Sequence, residues 1–253
     1  MIDPHALFST RRLTIIGVVA YLVFTLVTFP ARLALNWFAP DTLAASGVSG
    51  TVWSGRANRI GMSPVNLTET NWRLRPLGLF ALRLSYKLDA KMDGGAIQAT
   101  ASVNPAGTIR MKKLAGILPM QALSGFIPVG SIDGRIGLDF AELQIEDNWV
   151  SDAVGTIDIV SLSLVAPVKA ALGSYEVVFD GVEDDTLQAD FRDVSGPLQA
   201  SGTLSLLSEQ RWELSGTVRA KQGAPAQLVR GLSMLGARNS DGSYPISFSS
   251  ATN

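Results

Sequence analysis

Apolar and polar side chains alternate with a period of two along most of this chain, and that rhythm constrains its fold more than any other feature. Ile97, Ala99, Ala101 and Val103 are separated by Gln98, Thr100 and Ser102. Leu187, Ala189 and Phe191 alternate with Gln188, Asp190 and Arg192, and Trp212, Leu214, Val218 and Ala220 with Glu213, Thr217 and Arg219. The same pattern runs through Leu82 to Leu88, Ile132 to Phe140, Leu198 to Leu206 and Tyr244 to Phe248. Successive side chains of a strand point to opposite faces, so alternation predicts strands with one apolar and one wetted face. Such strands belong to antiparallel sheets, because the strands of a parallel sheet are buried on both faces. The breaks carry turn residues: Asp93-Gly94-Gly95, Asn104-Pro105-Ala106-Gly107, Glu183-Asp184-Asp185, Val194-Ser195-Gly196-Pro197 and Ser240-Asp241-Gly242-Ser243. Apolar parity flips between Phe140 and Leu143, which predicts a bulge at Ala141-Glu142.

Roughly ten such strands present one continuous apolar face, and free soluble domains do not expose patches of that size. Only two segments read as helical: a turn or two within Leu114 to Phe126, and Ala224 to Leu235, with Pro225 in its first turn and Gly236 to end it. Both read as caps over an open sheet end. The expected fold is therefore mainly β: a strongly curved antiparallel sheet, as a half-barrel, groove or sandwich, with one or two short helices. Glycines at Gly50, Gly55, Gly134, Gly137, Gly202 and Gly216 favour strong coiling. Ile136, Leu138, Leu204 and Leu214 are the candidate lining of an apolar groove. A Gly-Thr-apolar triplet recurs at Gly50, Gly107, Gly155, Gly202 and Gly216 with irregular spacing, which suggests one hairpin style reused along a growing sheet.

The N-terminal segment is of another kind. Leu13 to Phe29 is an uncharged apolar run behind Arg11-Arg12. Its length corresponds to about 25 Å of helix, slightly short of a hydrocarbon core of roughly 30 Å. Continuation past Pro30 into Leu33, Leu35, Trp37 and Phe38 supplies an interfacial belt, with Arg32 placed to snorkel. Positive charge beside a first helix stays cytoplasmic. The expected layout is a cytoplasmic tail at 1–12, a membrane helix with its interfacial extension at 13–38, and a periplasmic β domain at 39–253. A cleaved signal peptide is the rival reading, but the apolar run exceeds the usual length and Arg32 sits inside the would-be cleavage site.

Composition narrows the chemistry. The chain has no cysteine, and its single histidine, His5, lies in the leading tail. Ser-His-Asp and Cys-His catalysis, thiolate metal sites and histidine-based zinc sites are therefore excluded from the β domain. A net charge of −1 gives no support for nucleic-acid binding. Glu183-Asp184-Asp185 is the densest acidic cluster and reads as a solvated turn before it reads as a calcium site. No enzyme, cofactor or metal is expected. Of the five tryptophans, Trp72 and Trp212 fall on apolar strand faces and Trp37 at the interface.

Trp53 lies in Gly47-Val48-Ser49-Gly50-Thr51-Val52-Trp53-Ser54-Gly55-Arg56-Ala57. With Phe29-Pro30-Ala31-Arg32-Leu33 before it and Trp72-Arg73-Leu74-Arg75-Pro76 after it, this stretch resembles the type II secretion system protein N family. Leu214-Ser215-Gly216-Thr217-Val218 and Asp241-Gly242-Ser243-Tyr244-Pro245-Ile246 are similar to that family as well. The resemblance implies an accessory of the machine that exports folded proteins across the outer membrane of Gram-negative bacteria. It implies other secretion components, the inner-membrane platform or the secretin, as partners. It marks Gly50, Val52, Trp53, Gly55, Trp72 and Pro76 as signature positions and candidate docking residues. A more distant similarity to the groove-forming AsmA and TamB envelope proteins implies lipid binding or transfer as the alternative role.

Overall fold

The computed structural model describes residues 10–38, 43–62, 65–81, 83–123, 131–166, 169–207 and 210–250. These form one antiparallel sheet preceded by two helices. The strands are β1 (Leu43–Ser46), β2 (Ser49–Gly50), β3 (Ser54–Met62), β4 (Val65–Leu74), β5 (Leu84–Met92), β6 (Gly95–Val103) and β7 (Ile109–Pro119). They continue as β8 (Ser131–Glu146), β9 (Trp149–Ala166), β10 (Ala170–Glu183), β11 (Thr186–Ser195), β12 (Leu198–Leu207), β13 (Arg211–Ala220) and β14 (Tyr244–Ser249). From β3 to β14 each strand pairs with its sequence neighbour, while β1 and β2 both lie along β3. The sheet is a meander with two free edges, β1 and β14.

Contacts run between neighbouring strands rather than between facing layers, so the sandwich option of the sequence reading is not the one adopted. The sheet instead curls toward its apolar face. One packed cluster reaches from Ala99 in β6 through Leu114, Phe140, Ala153 and Phe179 to Leu187 and Ala189 in β11, with Leu204 and Leu206 of β12 against it. At one rim the Gln210 side-chain amide donates to the Asp147 carbonyl at 3.1 Å, joining the β8–β9 turn to the start of β13 across the intervening hairpin. Strands lie about 4.8 Å apart in a sheet, so a flat sheet would hold those two groups out of reach.

Turns and bulges fall where the sequence places them. Asp147-Asn148 and Asp184-Asp185 both have two positive φ values, the backbone of a tight two-residue hairpin. The register of β8 on β9 slips between Phe140 and Glu142, so Ala141 is the bulge expected from the parity flip. The helix expected in Ala224 to Leu235 forms as the shorter α3, Ala226–Leu232, with Pro225 at the N-cap position, no side-chain capping bond, and Ser233 instead of Gly236 at its end. Its Leu228 and Leu232 pack on Leu198, Ala200 and Val218, closing the C-terminal end of the apolar face.

Two expectations are corrected. Leu114 to Pro119 is the end of strand β7, and only Met120–Leu123 makes a single 3₁₀ turn. Backbone pairing of Leu114 with Phe140 and Leu118 with Ile136 overrides the local apolar spacing; residues 124–126 of that segment lie outside the described residues. The N-terminal helix does not run through Pro30. It is split into α1 (Thr10–Val27) and α2 (Ala31–Phe38), because proline supplies no N–H and Pro30 bridges to Thr51 instead. Among the described residues no helix is long and apolar enough to cross a membrane. From Leu13 to Val27 the side chains of α1 are exposed, with Ile16 at 59% and Phe24 at 66%.

Candidate functional site

Two features are built from the residues singled out by sequence: a joint between α1 and the sheet, and an apolar trough.

The joint is made by the Gly50 to Trp53 loop. Gly50 pairs with Gly55, and Gly55 pairs with Trp72. A Cβ on Gly55 would lie 2.5 Å from the Trp72 ring and 2.6 Å from the Ser49 carbonyl, so only glycine lets the indole lie flat there. The Trp72 indole N–H donates to the Thr51 carbonyl at 3.2 Å and holds the loop over β4. The Trp53 carbonyl accepts the Leu74 N–H at 2.6 Å. That leaves the Trp53 ring turned toward α1, where its N–H donates to the Leu26 carbonyl at 2.7 Å. Carbonyls in the last turn carry the negative end of a helix, and the Leu26 carbonyl accepts both this indole and, at 3.3 Å, the Phe29 N–H. The neighbouring Val52 N–H donates to the Phe29 carbonyl at 3.0 Å, and Thr51 bridges to Pro30. The structure thus brings Gly50, Val52, Trp53, Gly55 and Trp72 together. Pro76 opens the 3₁₀ segment Pro76–Ala81 that leads from β4 toward β5, outside the joint. Trp53 is half-buried and bonds to α1, so it belongs to the join and not to the sheet core.

The trough is built from rows of paired residues. One row runs Gly55, Trp72, Leu88 and Ala99 across β3 to β6. After a slip in the β6–β7 register, Leu114, Phe140, Gly155, Phe179, Ala189, Leu204, Leu214 and Phe248 carry it across β7 to β14. A parallel row two residues away runs Ile97, Gly116, Leu138, Ile157, Val177, Phe191, Gly202, Gly216 and Ile246. Of the four residues proposed from sequence, Leu204 and Leu214 are directly paired in the first row and Leu138 sits in the second. Ile136 lies one step further along β8 and is buried. The second row is half-buried throughout, the first mixes buried and half-buried residues, and Phe248 at its free edge is 54% exposed.

Sequence reasoning missed the device that lets neighbouring strands pack aromatics along this face. Phe140 and Phe179 sit on either side of Gly155, and their ring centroids are 5.5 Å apart, roughly half of two strand spacings. A Cβ at Gly155 would stand 2.5 Å from the Phe140 Cα and would also occupy the ring's place. Phe191 repeats the arrangement: virtual Cβ atoms on Gly202 and Gly216 fall 2.6 and 2.9 Å from its ring. Trp72 on Gly55 is a third case. The Gly-Thr-apolar triplets at Gly155, Gly202 and Gly216 were the available signal, but strand register was needed to place an aromatic beside each glycine.

Ionisable groups cluster away from the trough's open middle. Asp193 is drawn up by burial, yet the Lys221 ammonium at 2.6 Å and the Ala200 N–H at 3.1 Å outweigh that and hold its carboxyl below the ordinary range. Burial, helped by the Asp193 charge, pushes the Tyr175 phenol up; its hydroxyl donates to the Leu172 carbonyl at 2.8 Å. Both belong to the packing under α3. The described residues hold no group of three His, Cys, Asp or Glu side chains placed to bind a metal.

The sequence comparisons bear on this geometry directly. The family model for type II secretion system protein N matches residues 41–247, the whole sheet but for its last residues. The chain belongs to the type II secretion system protein N family. The type II secretion system protein N of Aeromonas hydrophila is similar at 25% identity over 237 residues, covering 91% of this chain and 94% of that protein. No solved structure matches. The family match begins just before β1 and so includes the joint loop but not α1.

Proposed function

We propose that this chain is a non-catalytic component of the type II secretion system held at the inner membrane, with the apolar surface of α1 seated in the bilayer and the sheet in the periplasm. The observation that carries the reading is the Trp53 joint, because it ties the end of α1 to the first strands and makes anchor and sheet one mechanical unit. The exposed apolar surface of α1 supports its role as the anchor, as do Leu33 and Trp37 on α2, which are 42% and 65% exposed beside it. Family membership supports the secretion role. A rigid periplasmic scaffold held at a fixed angle to the membrane suits a part that positions other secretion components, whether platform or secretin. The test is complementation. Deletion is expected to stop export of folded substrates, the full chain to restore it, and a version released into the periplasm by a cleavable signal to fail. Full restoration by the released version would overturn the anchored reading.

A second reading draws on the unroofed trough. Burial of apolar area contributes about 25 cal/mol per Å², so the half-exposed rows suit an acyl chain. A photoreactive residue at Leu138 or Leu204 is expected to capture lipid in that case; recovery of the chain without adduct would end it.

A further inference from the structure

The chain's net charge of −1 conceals a division. Residues 49–91 hold seven Lys or Arg against two Asp or Glu, whereas residues 92–253 hold eleven against eighteen. The basic stretch is β2 to β5, the strands nearest α1 and α2. On the polar face of these strands a cavity of about 510 Å³ is lined by Arg56, Asn71, Trp72, Arg73, Lys87 and Asp89, among others. That volume falls in the range of roughly 300–1,000 Å³ typical of ligand pockets. Its floor reaches Gly50, the neighbour of Thr51, which bridges to Pro30 at the foot of α1.

The cations are arranged at a cost. Arg73 lies directly opposite Lys87 in the β4–β5 register, and like charges in that position repel. Asp89 offers Lys87 only an exposed contact at 3.8 Å. Arg56 spends its Nε–H on the Ser49 hydroxyl at 3.3 Å, and among the described residues neither Arg56 nor Arg73 has an ion pair. By contrast, Glu142 meets both Arg110 and Lys112 across β7 and β8, and Glu69 meets Lys91. Repelling, unneutralised cations around a pocket of this size suit an external anion.

We propose that the polar face of β2 to β5 is a docking surface for anionic phospholipid, with Arg56, Arg73 and Lys87 receiving the phosphate of a headgroup at the bilayer surface. The occupant follows from charge complementarity and from position, because the Trp53 joint holds this pocket beside the end of α1. The proposal rests on α1 being the anchor. It adds that the sheet's foot lies on the membrane instead of standing clear of it.

The test uses the full chain with a photoreactive residue at Asn71, reconstituted in vesicles of phosphatidylcholine alone or mixed with phosphatidylglycerol. Capture of phosphatidylglycerol is expected to dominate, and to fall about fivefold for each cation removed in Arg73→Gln and Lys87→Gln. Melting temperature is expected to hold or rise in both variants, because repulsion is relieved. Equal capture of both lipids would overturn the proposal. So would loss of capture on adding inorganic phosphate, which marks a soluble-phosphate site, or adducts formed in cells mainly with an acidic protein. Alkaline carbonate separates the two readings. A chain stripped from the vesicles that still shows charge-dependent capture would refute the anchor and leave the docking surface standing. A retained chain with charge-independent capture would do the reverse.

Discussion

The two ends of this sheet are held together by different physics. From β6 to β14, stability comes from apolar rows, aromatics laid over glycines and the lid of α3. From β2 to β5, the Trp53 and Trp72 indoles hydrogen-bond to a helix end and a loop carbonyl, and the polar face gathers cations around an open cavity. Packing that has no alternative partner makes a framework. Polar contacts that leave charge and backbone accessible make a surface for something else. Substitutions in the first region should therefore cost folding, and those in the second should cost function first.

The largest expected effect is at the aromatic pair. Phe140→Ala should destabilise the chain by about 3–5 kcal/mol in urea melts, since a ring 4% exposed is removed from a contact that the backbone cannot close. Gly155→Val should be at least as damaging, because the added Cβ meets the Asp139 carbonyl at 2.4 Å. A loss below about 1 kcal/mol for either would mean that the two halves are not held differently.

Asp193→Ala should cost about 1–3 kcal/mol by leaving Lys221 and the Ala200 N–H without their acceptor. Its folded pKa is depressed, so its contribution is complete above the unfolded value near ~3.9 and is lost as pH falls through the lower folded value. The stability gap between the parent chain and Asp193→Asn should be flat above about pH 5 and shrink below about pH 4. A gap that instead widens in acid would contradict the assignment.

Trp53→Ala sharpens the contrast from the other side. It removes one half-buried hydrogen bond and is expected to cost only about 1–2 kcal/mol, with secretion falling much further than stability. Parallel melts and secretion assays on that variant would blur the comparison if both moved together. The smallest effect is expected at Thr70, whose buried hydroxyl has no partner among the described residues. Thr70→Val should be neutral or stabilising by up to about 1 kcal/mol.

Alternation made the strands, their faces and most of their turns legible, since each depends on residues adjacent in sequence. The bulge at Ala141 was visible for the same reason. What stayed hidden depends on register between strands. Nothing in the order of residues says that Phe140, Gly155 and Phe179 share a line, or that Arg73 faces Lys87. Trp53 was legible as a signature, but its role was not, because its partner at Leu26 is remote in sequence and is a backbone carbonyl. The segment after Leu114 misled for a related reason: its apolar spacing fits a helical turn as well as a strand end, and only the neighbouring β8 decides between them.

A single curled sheet with two free edges underlies both the trough and the joint. The chain has no native cysteine, so spin labels can be placed at Ala44 on β1 and Ser247 on β14 without interference. A pulsed dipolar distance between them well beyond two strand spacings, about 10 Å, is the expected result. A distance of neighbouring strands, about 5 Å, would show the edges joined into a barrel and would contradict the open trough.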